Sequence, residues 1–210
     1  MNSDNILKIF RVLSKKYPGA DISLNFNTNW QLLVATILSA QCRDKRVNKI
    51  TKQLFKDYPR LEDYLGMSKE ELIRHIRPAG FYNNKAKNIL GAATLIDNDF
   101  NGRVPKNMDD MLKIPGVARK TANVVMGNAH GVVEGVAVDT HVKRLSYRLG
   151  LTKNKTPKKI ERDLMKLLPR SKWFKFTYLL IEHGRSTCKA RKPACPDCLL
   201  NKICPKMGIN

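Results

Sequence analysis

Two groups of residues in this 210-residue chain have the types and spacing for chemistry. The first lies in IPGVARKTANVV at 114–125, where Pro115-Gly116 interrupts a polar-apolar pattern and an apolar helical run follows at once. The stretch therefore reads as helix, tight turn, helix, with Lys120 in the first turn of the second helix. The macrodipole is positive at that end, exposed N–H groups gather there, and Arg119 adds a like charge. Such surroundings disfavour an ammonium and favour the free amine that a nucleophile needs near neutrality. The turn formed by Ile114, Gly116, Val117 and Ala118 presents backbone N–H groups outward, which suits a phosphate. An amine nucleophile beside a phosphate cradle points to chemistry on a nucleic acid. A solvated surface lysine is the alternative.

The second group is Cys188, Cys195, Cys198 and Cys204, spaced C-x6-C-x2-C-x5-C within 17 residues. Four thiols so close in sequence must pair or share a metal, and the Cys195-Pro-Asp-Cys198 knuckle lets backbone N–H groups point at sulfur. Structural zinc usually joins two short knuckles, whereas one knuckle here has two wider arms. A [4Fe-4S] cluster is the better reading, and zinc stays open on spacing alone. Lys189, Arg191 and Lys192 lie between the first two ligands, so closing the loop would present a basic segment to phosphates. Cys42 stands apart as an ordinary small residue.

Composition agrees with a polyanionic partner. The formal net charge is +21, from 39 Lys+Arg against 18 Asp+Glu. Residues 1–140 carry net +7 and residues 141–210 carry net +14, so the excess sits mainly on the last third. A surplus of this size strains a compact fold by self-repulsion, and nucleic acid is the first candidate to neutralise it. A generally basic surface is the alternative. The first residues, MNSDNILKIFRVLSKKYPG, lack an apolar core of signal-peptide length, and no run approaches the ~20 apolar residues of a membrane span. The expectation is an intracellular, cytoplasmic, nucleoid-associated monomer with no membrane partner. An odd total of five cysteines, four of them at one end, fits metal in a reducing compartment better than a disulfide framework.

The elements that must position these groups are helices. Ile6, Ile9, Phe10 and Leu13 have helical spacing up to YPGA, and Trp30, Leu33, Val34, Ile37 and Leu38 form a strongly apolar helix. Asp44 is placed to cap the next helix, with Val47, Ile50, Leu54 and Phe55 inward. Ser68 and Glu71 form a capping-box signature for a helix through Arg77. RPAGFYNNK then reads as an exposed loop before a helix over 85–96. A short helix starts at Asn107 and Asp110 and ends at Pro115, and the Lys120 helix runs to about Ala129. GVVEGVAV at 131–138 has no partner strand and reads as an extended connector. Asp139 sits at an N-cap position ahead of Val142, Leu145, Ser146 and Leu149, and Thr156-Pro157 opens a helix through Leu168. The last long helix carries Trp173, Phe176, Thr177, Leu180 and Ile181 directly to Cys188. About ten helices and no sheet are expected, an all-α protein.

Taken together, SAQCRDKRVNK at 39–49, AGFYNNKAKNI at 79–89, IPGVARKTANVV at 114–125, VDTHVKRLSYRLG at 138–150 and EHGRSTC at 182–188, followed by the cysteines, resemble the endonuclease III family of DNA glycosylases in the helix-hairpin-helix superfamily. The resemblance covers nearly the whole chain. It implies two helical subdomains flanking a DNA-binding groove. One is a six-helix domain near 22–132 that contains the helix-hairpin-helix at about 107–130. The other is a cluster domain from 1–21 and 133–210, with a [4Fe-4S] loop at 188–204. It implies a bifunctional N-glycosylase and abasic-site lyase of base excision repair, acting on oxidised pyrimidines in duplex DNA and cleaving 3′ to the abasic site by β-elimination. Lys120 is then the catalytic amine that forms a Schiff base, and Asp139 its carboxylate partner. By the same resemblance Gln41 fills the gap left by the extruded base, and Phe81 is a wedge.

One residue departs from the family pattern: the hairpin usually reads Pro-Gly-Val-Gly, and here Ala118 takes the last place. The phosphate contact is expected to survive if Ala118 keeps a negative φ. Adenine-mismatch relatives lack the lysine and carry a further C-terminal domain, while this sequence stops six residues after Cys204. Thymine-mismatch enzymes differ at the lysine. A catalytically idle iron-sulfur DNA-binding module, or a mismatch-specific glycosylase, is the alternative function.

Overall fold

The computed structural model describes residues 3–209, and every described element is helical. The chain divides into two compact units, residues 23–132 and residues 1–22 with 133–210.

In the first unit the organising element is α2 (Asn29–Leu38), whose residues from Trp30 to Leu38 are all buried. A helix apolar all round belongs in the middle of a bundle. Thr28 caps it by accepting a hydrogen bond from Gln31 N at 3.2 Å, and α3 (Asp44–Asp57), α5 (Tyr82–Phe100) and α7 (Arg119–His130) pack around it. Between them lie α4 (Lys69–Ile76) and the four-residue α6 (Met108–Met111). Two 3-10 turns occupy Glu62–Tyr64 and Arg77–Ala79.

Several local expectations change here. Asp44 is the first helical residue of α3, and the cap position falls to Arg43, which makes no side-chain cap bond. The capping box is half-formed. Ser68 accepts from Glu71 N at 3.2 Å, while the Glu71 carboxylate takes the Tyr58 hydroxyl at 2.7 Å. The 77–85 stretch is largely ordered secondary structure, because Arg77–Ala79 forms a 3-10 turn and α5 begins at Tyr82 and runs to Phe100. The Asn107 helix is capped as expected, Asn107 Oδ1 accepting from Asp110 N at 2.9 Å, but it ends at Met111, four residues before Pro115.

The second unit packs α1 (Ser3–Lys16), α8 (Thr140–Arg148), α9 (Pro157–Leu167) and α10 (Arg170–Ser186) around Ile6, Ile9, Leu13, Leu145, Leu164 and Phe176. Thr156 precedes α9 in extended conformation, but its side chain makes no cap bond. The connector at 131–139 contains no strand, and its apolar residues Val136 and Val138 are spent on this core. No described helix is long and apolar enough to cross a membrane.

Candidate active site

Lys120 is the second residue of α7 and is half-buried. The turn before it is built by Gly116, whose φ is +80°, a left-handed conformation that favours glycine. A Cβ at Gly116 would also stand 2.8 Å from Asn88 Nδ2 and 2.9 Å from Asn88 Cβ, so α5 presses on the turn from below. One helical turn further along α5, Gly91 leaves room for the Pro115 ring, where a Cβ would lie 3.3 Å from its Cγ. The sequence gave no sign that Asn88 and Gly91 form the seat of this turn.

Ala118 is exposed and sits at the N-cap of α7 with φ −97° and ψ 168°. This is ordinary extended backbone, so alanine replaces the family glycine there without strain. Ile114 and Val117 are buried at 2% and 8% exposure, which leaves their side chains no part in ligand contact. Val117 N also donates to Ile114 O at 3.1 Å and closes the turn. The first-turn amides of α7 have no intrahelical acceptor.

Two further loops of this unit end in unusual backbone. Gln41, three residues beyond α2, has φ 54° and is exposed. Phe81, just before α5, has φ 49° and is 63% exposed. Neither residue type favours the left-handed region, and a bare phenyl ring in water is itself unfavourable. Both features fit side chains held out for a partner.

In the other unit Asp139 caps α8 as expected: its Oδ1 accepts from Val142 N at 2.7 Å. One face of that helix then anchors the cysteine loop. Arg148, only 8% exposed, donates from Nη1 to Lys189 O at 2.7 Å and to Cys188 Sγ at 3.4 Å, and from Nη2 to Ala190 O at 2.9 Å. Arg144 Nη2 donates to Gly184 O at 3.1 Å and Cys188 O at 3.0 Å. Burial lowers the Arg144 pKa, partly offset by the nearby Cys188. Lys189, Arg191 and Lys192 are exposed along the loop these arginines hold.

Cys188, Cys195, Cys198 and Cys204 line one cavity together with His183, Arg148 and Leu200. The amides of Leu200 and Lys206 donate to Cys198 Sγ and Cys204 Sγ, each at 3.4 Å. Burial raises the pKa of both thiols. His183 is 2% exposed, with Nδ1 at 3.1 Å from the Tyr17 hydroxyl and Nε2 at 3.5 Å from Cys198 Sγ. Desolvation, helped by the Lys16 charge, lowers its pKa to about 4, so the ring is neutral at pH 7. Among the described residues no three His, Cys, Asp or Glu side chains are grouped to hold a metal ion. Arg144, Arg148, His183 and Tyr17 were not legible as supports, because their partners lie as far as 170 residues away in sequence.

With this geometry in hand, the comparisons are consistent. Residues 34–170 match the HhH-GPD superfamily base excision DNA repair protein family. Endonuclease III of Synechocystis sp. is 54% identical over 198 residues, covering 94% of this chain and 90% of that protein. Endonuclease III of Bacillus subtilis is 45% identical over 189 residues, covering 90% and 86%. A solved structure of a trapped endonuclease III-DNA covalent intermediate, an estranged-adenine complex, superposes with a TM-score of 0.94 at 40% identity, covering 98% of this chain and 97% of that one. A Lys-bearing hairpin turn, a helix-capping aspartate, a four-cysteine loop and similarity along nearly the whole sequence lead to one assignment: the chain belongs to the endonuclease III family of base excision repair DNA glycosylases and abasic-site lyases, within the HhH-GPD superfamily.

Proposed function

We propose that Lys120 and Asp139 act on a single nucleotide extruded from duplex DNA, with oxidised pyrimidines as the substrate class. A weakened base costs least to unstack, which favours damaged nucleotides before any chemistry occurs. The Lys120 amine attacks C1′ of the deoxyribose, and the glycosidic C1′–N bond breaks with its electron pair leaving on the base, which takes up a proton. Opening of the sugar ring gives a protonated Schiff base. Loss of the C2′ proton then drives out the 3′ phosphate by β-elimination, and water hydrolyses the imine to restore the amine. Asp139 stabilises the cationic sugar and carries protons in these steps. Its Oδ1 also caps α8.

The observation that carries this reading is an amine at the second position of α7, directly after the left-handed Gly116 turn whose amides suit a phosphate. The covalent DNA intermediate trapped in a relative supports it. Gln41 would fill the vacated stack and Phe81 would wedge the step, and Lys189, Arg191 and Lys192 would neutralise phosphates. The four cysteines would hold a [4Fe-4S] cluster. The fit rests on their shared cavity and on the N–H donors aimed at sulfur. When bound, that cluster supplies iron-sulfur bonds that close the loop, while Arg144 and Arg148 fix the loop to α8. The protein would work as a monomer on nucleoid DNA.

Borohydride trapping tests the reading. A covalent adduct is expected on abasic and thymine-glycol duplexes, and Lys120→Ala should abolish it. Trapping retained in that variant would remove Lys120 as the nucleophile.

A further inference from the structure

Lys85 breaks the rule that lysines stay in water. Only 4% of its surface is exposed, although it lies within the most polar turn of α5. Its ammonium donates to two neutral acceptors, Leu38 O at 2.9 Å and Ala79 O at 3.0 Å. Burial lowers the pKa of the group, opposed by the nearby Cys42. A methionine of similar length would fill the same space without the desolvation penalty, so the cation must be explained by what it holds.

What it holds is specific. Leu38 is the last residue of α2 and Ala79 the last of the 3-10 turn at Arg77–Ala79, so the ammonium meets the negative ends of two helical segments. Three residues beyond Leu38 comes Gln41, and two beyond Ala79 comes Phe81, both exposed and both in the left-handed region. Lys85 N also donates to Phe81 O at 3.1 Å. One residue therefore grips the roots of both loops, which are otherwise about forty residues apart in sequence.

We propose that Lys85 is a positioning residue that locks the Gln41 and Phe81 loops to each other, so that filler and wedge enter the duplex as one rigid unit. The proposal rests on the reading of those two side chains as DNA-inserting. Left-handed backbone at two non-glycine tips is costly to maintain, and a shared anchor at their roots is what keeps both tips in register.

The test separates extrusion from chemistry. Lys85→Met should slow single-turnover base release from a thymine-glycol duplex by about tenfold or more, a loss typical of misplaced groups. Cleavage of an abasic site in a single-stranded oligonucleotide, where nothing need be extruded, should stay within about threefold. In a Gln41→Ala/Phe81→Ala background, adding Lys85→Met should cost less than about twofold more, because coupled residues are not additive. Lys85→Arg, which keeps the charge and the donors, should recover most of the duplex rate.

Equal losses on both substrates, or a full further loss in the doubly substituted background, would overturn the role of Lys85 while leaving the insertion reading intact. A Gln41→Ala/Phe81→Ala variant with undiminished duplex activity would instead remove the insertion reading, and the proposal with it. Should Lys85→Met fail to fold, hydrogen exchange on the wild-type protein decides. Amides at 38–42 and 79–83 are expected to open together, and independent opening overturns the proposal.

Discussion

Asp139 allows a structural role and a chemical role to be weighed on one side chain. Its Oδ1 receives Val142 N at 2.7 Å, a charge-assisted N-cap on α8. Removing the acceptor with Asp139→Ala should cost about 1 kcal/mol. For a chain of this length that corresponds to a fall in Tm of about 2–4 °C. Asn caps as well as Asp, so Asp139→Asn keeps the hydrogen bond and loses only the anion's attraction to the helix dipole, about 0.3–1 kcal/mol. Stability should therefore fall no further in the Asn variant than in the Ala variant.

Activity should separate the Asn variant from wild type sharply. A carboxylate that carries protons and steadies a cation contributes about 10²–10⁴-fold, or roughly 3–5 kcal/mol of barrier. Asp139→Asn should lose a factor in that range, and Asp139→Ala should lose no less. The assay pairs thermal melting with single-turnover base release and strand cleavage on a thymine-glycol duplex. An Asn variant within about tenfold of wild type, alongside an Ala variant whose loss follows its melting point, would show that the residue is a helix cap and nothing more.

Three other outcomes follow from the geometry. Gly116→Ala should destabilise the protein by about 1–3 kcal/mol in denaturant melts, since a methyl there meets Asn88 at 2.9 Å on a backbone with φ +80°. Retained stability would mean that the turn is not pressed on α5. Ala118→Gly should change DNA affinity by less than about tenfold, ~1.4 kcal/mol, because φ −97° already presents the amide; a larger gain in a binding titration would contradict this. Purified without oxygen, the protein should be brown and contain about four irons per chain, and stoichiometric zinc without iron would refute the cluster assignment.

The local geometry around the candidate groups was legible in the chain because it depends on near neighbours. Asp139 meets Val142 three residues on, Lys120 lies within one turn of its helix start, and the cysteine spacing needs only 17 residues. Such relations depend on backbone geometry that nearest neighbours impose, and the same periodicity announced an all-helical fold. Local signals failed where a distant group competed for the same atom or space. Tyr58 drew away the Glu71 carboxylate, and the packed start of α5 absorbed residues that read as a polar loop.

Only the tertiary structure decided which charged residues leave water. Lysine and arginine carry a strong prior for the surface, and nothing in their own neighbourhoods marked Lys85 or Arg148 as buried. Arg148 reaches carbonyls 41 and 42 residues away, and Lys85 one that is 47 residues away. A buried cation is tolerable only when acceptors converge on it, and that convergence comes from packing helices that are remote in sequence. Residue types and spacing thus marked the candidate groups, while long-range packing decided which cations are buried among carbonyls.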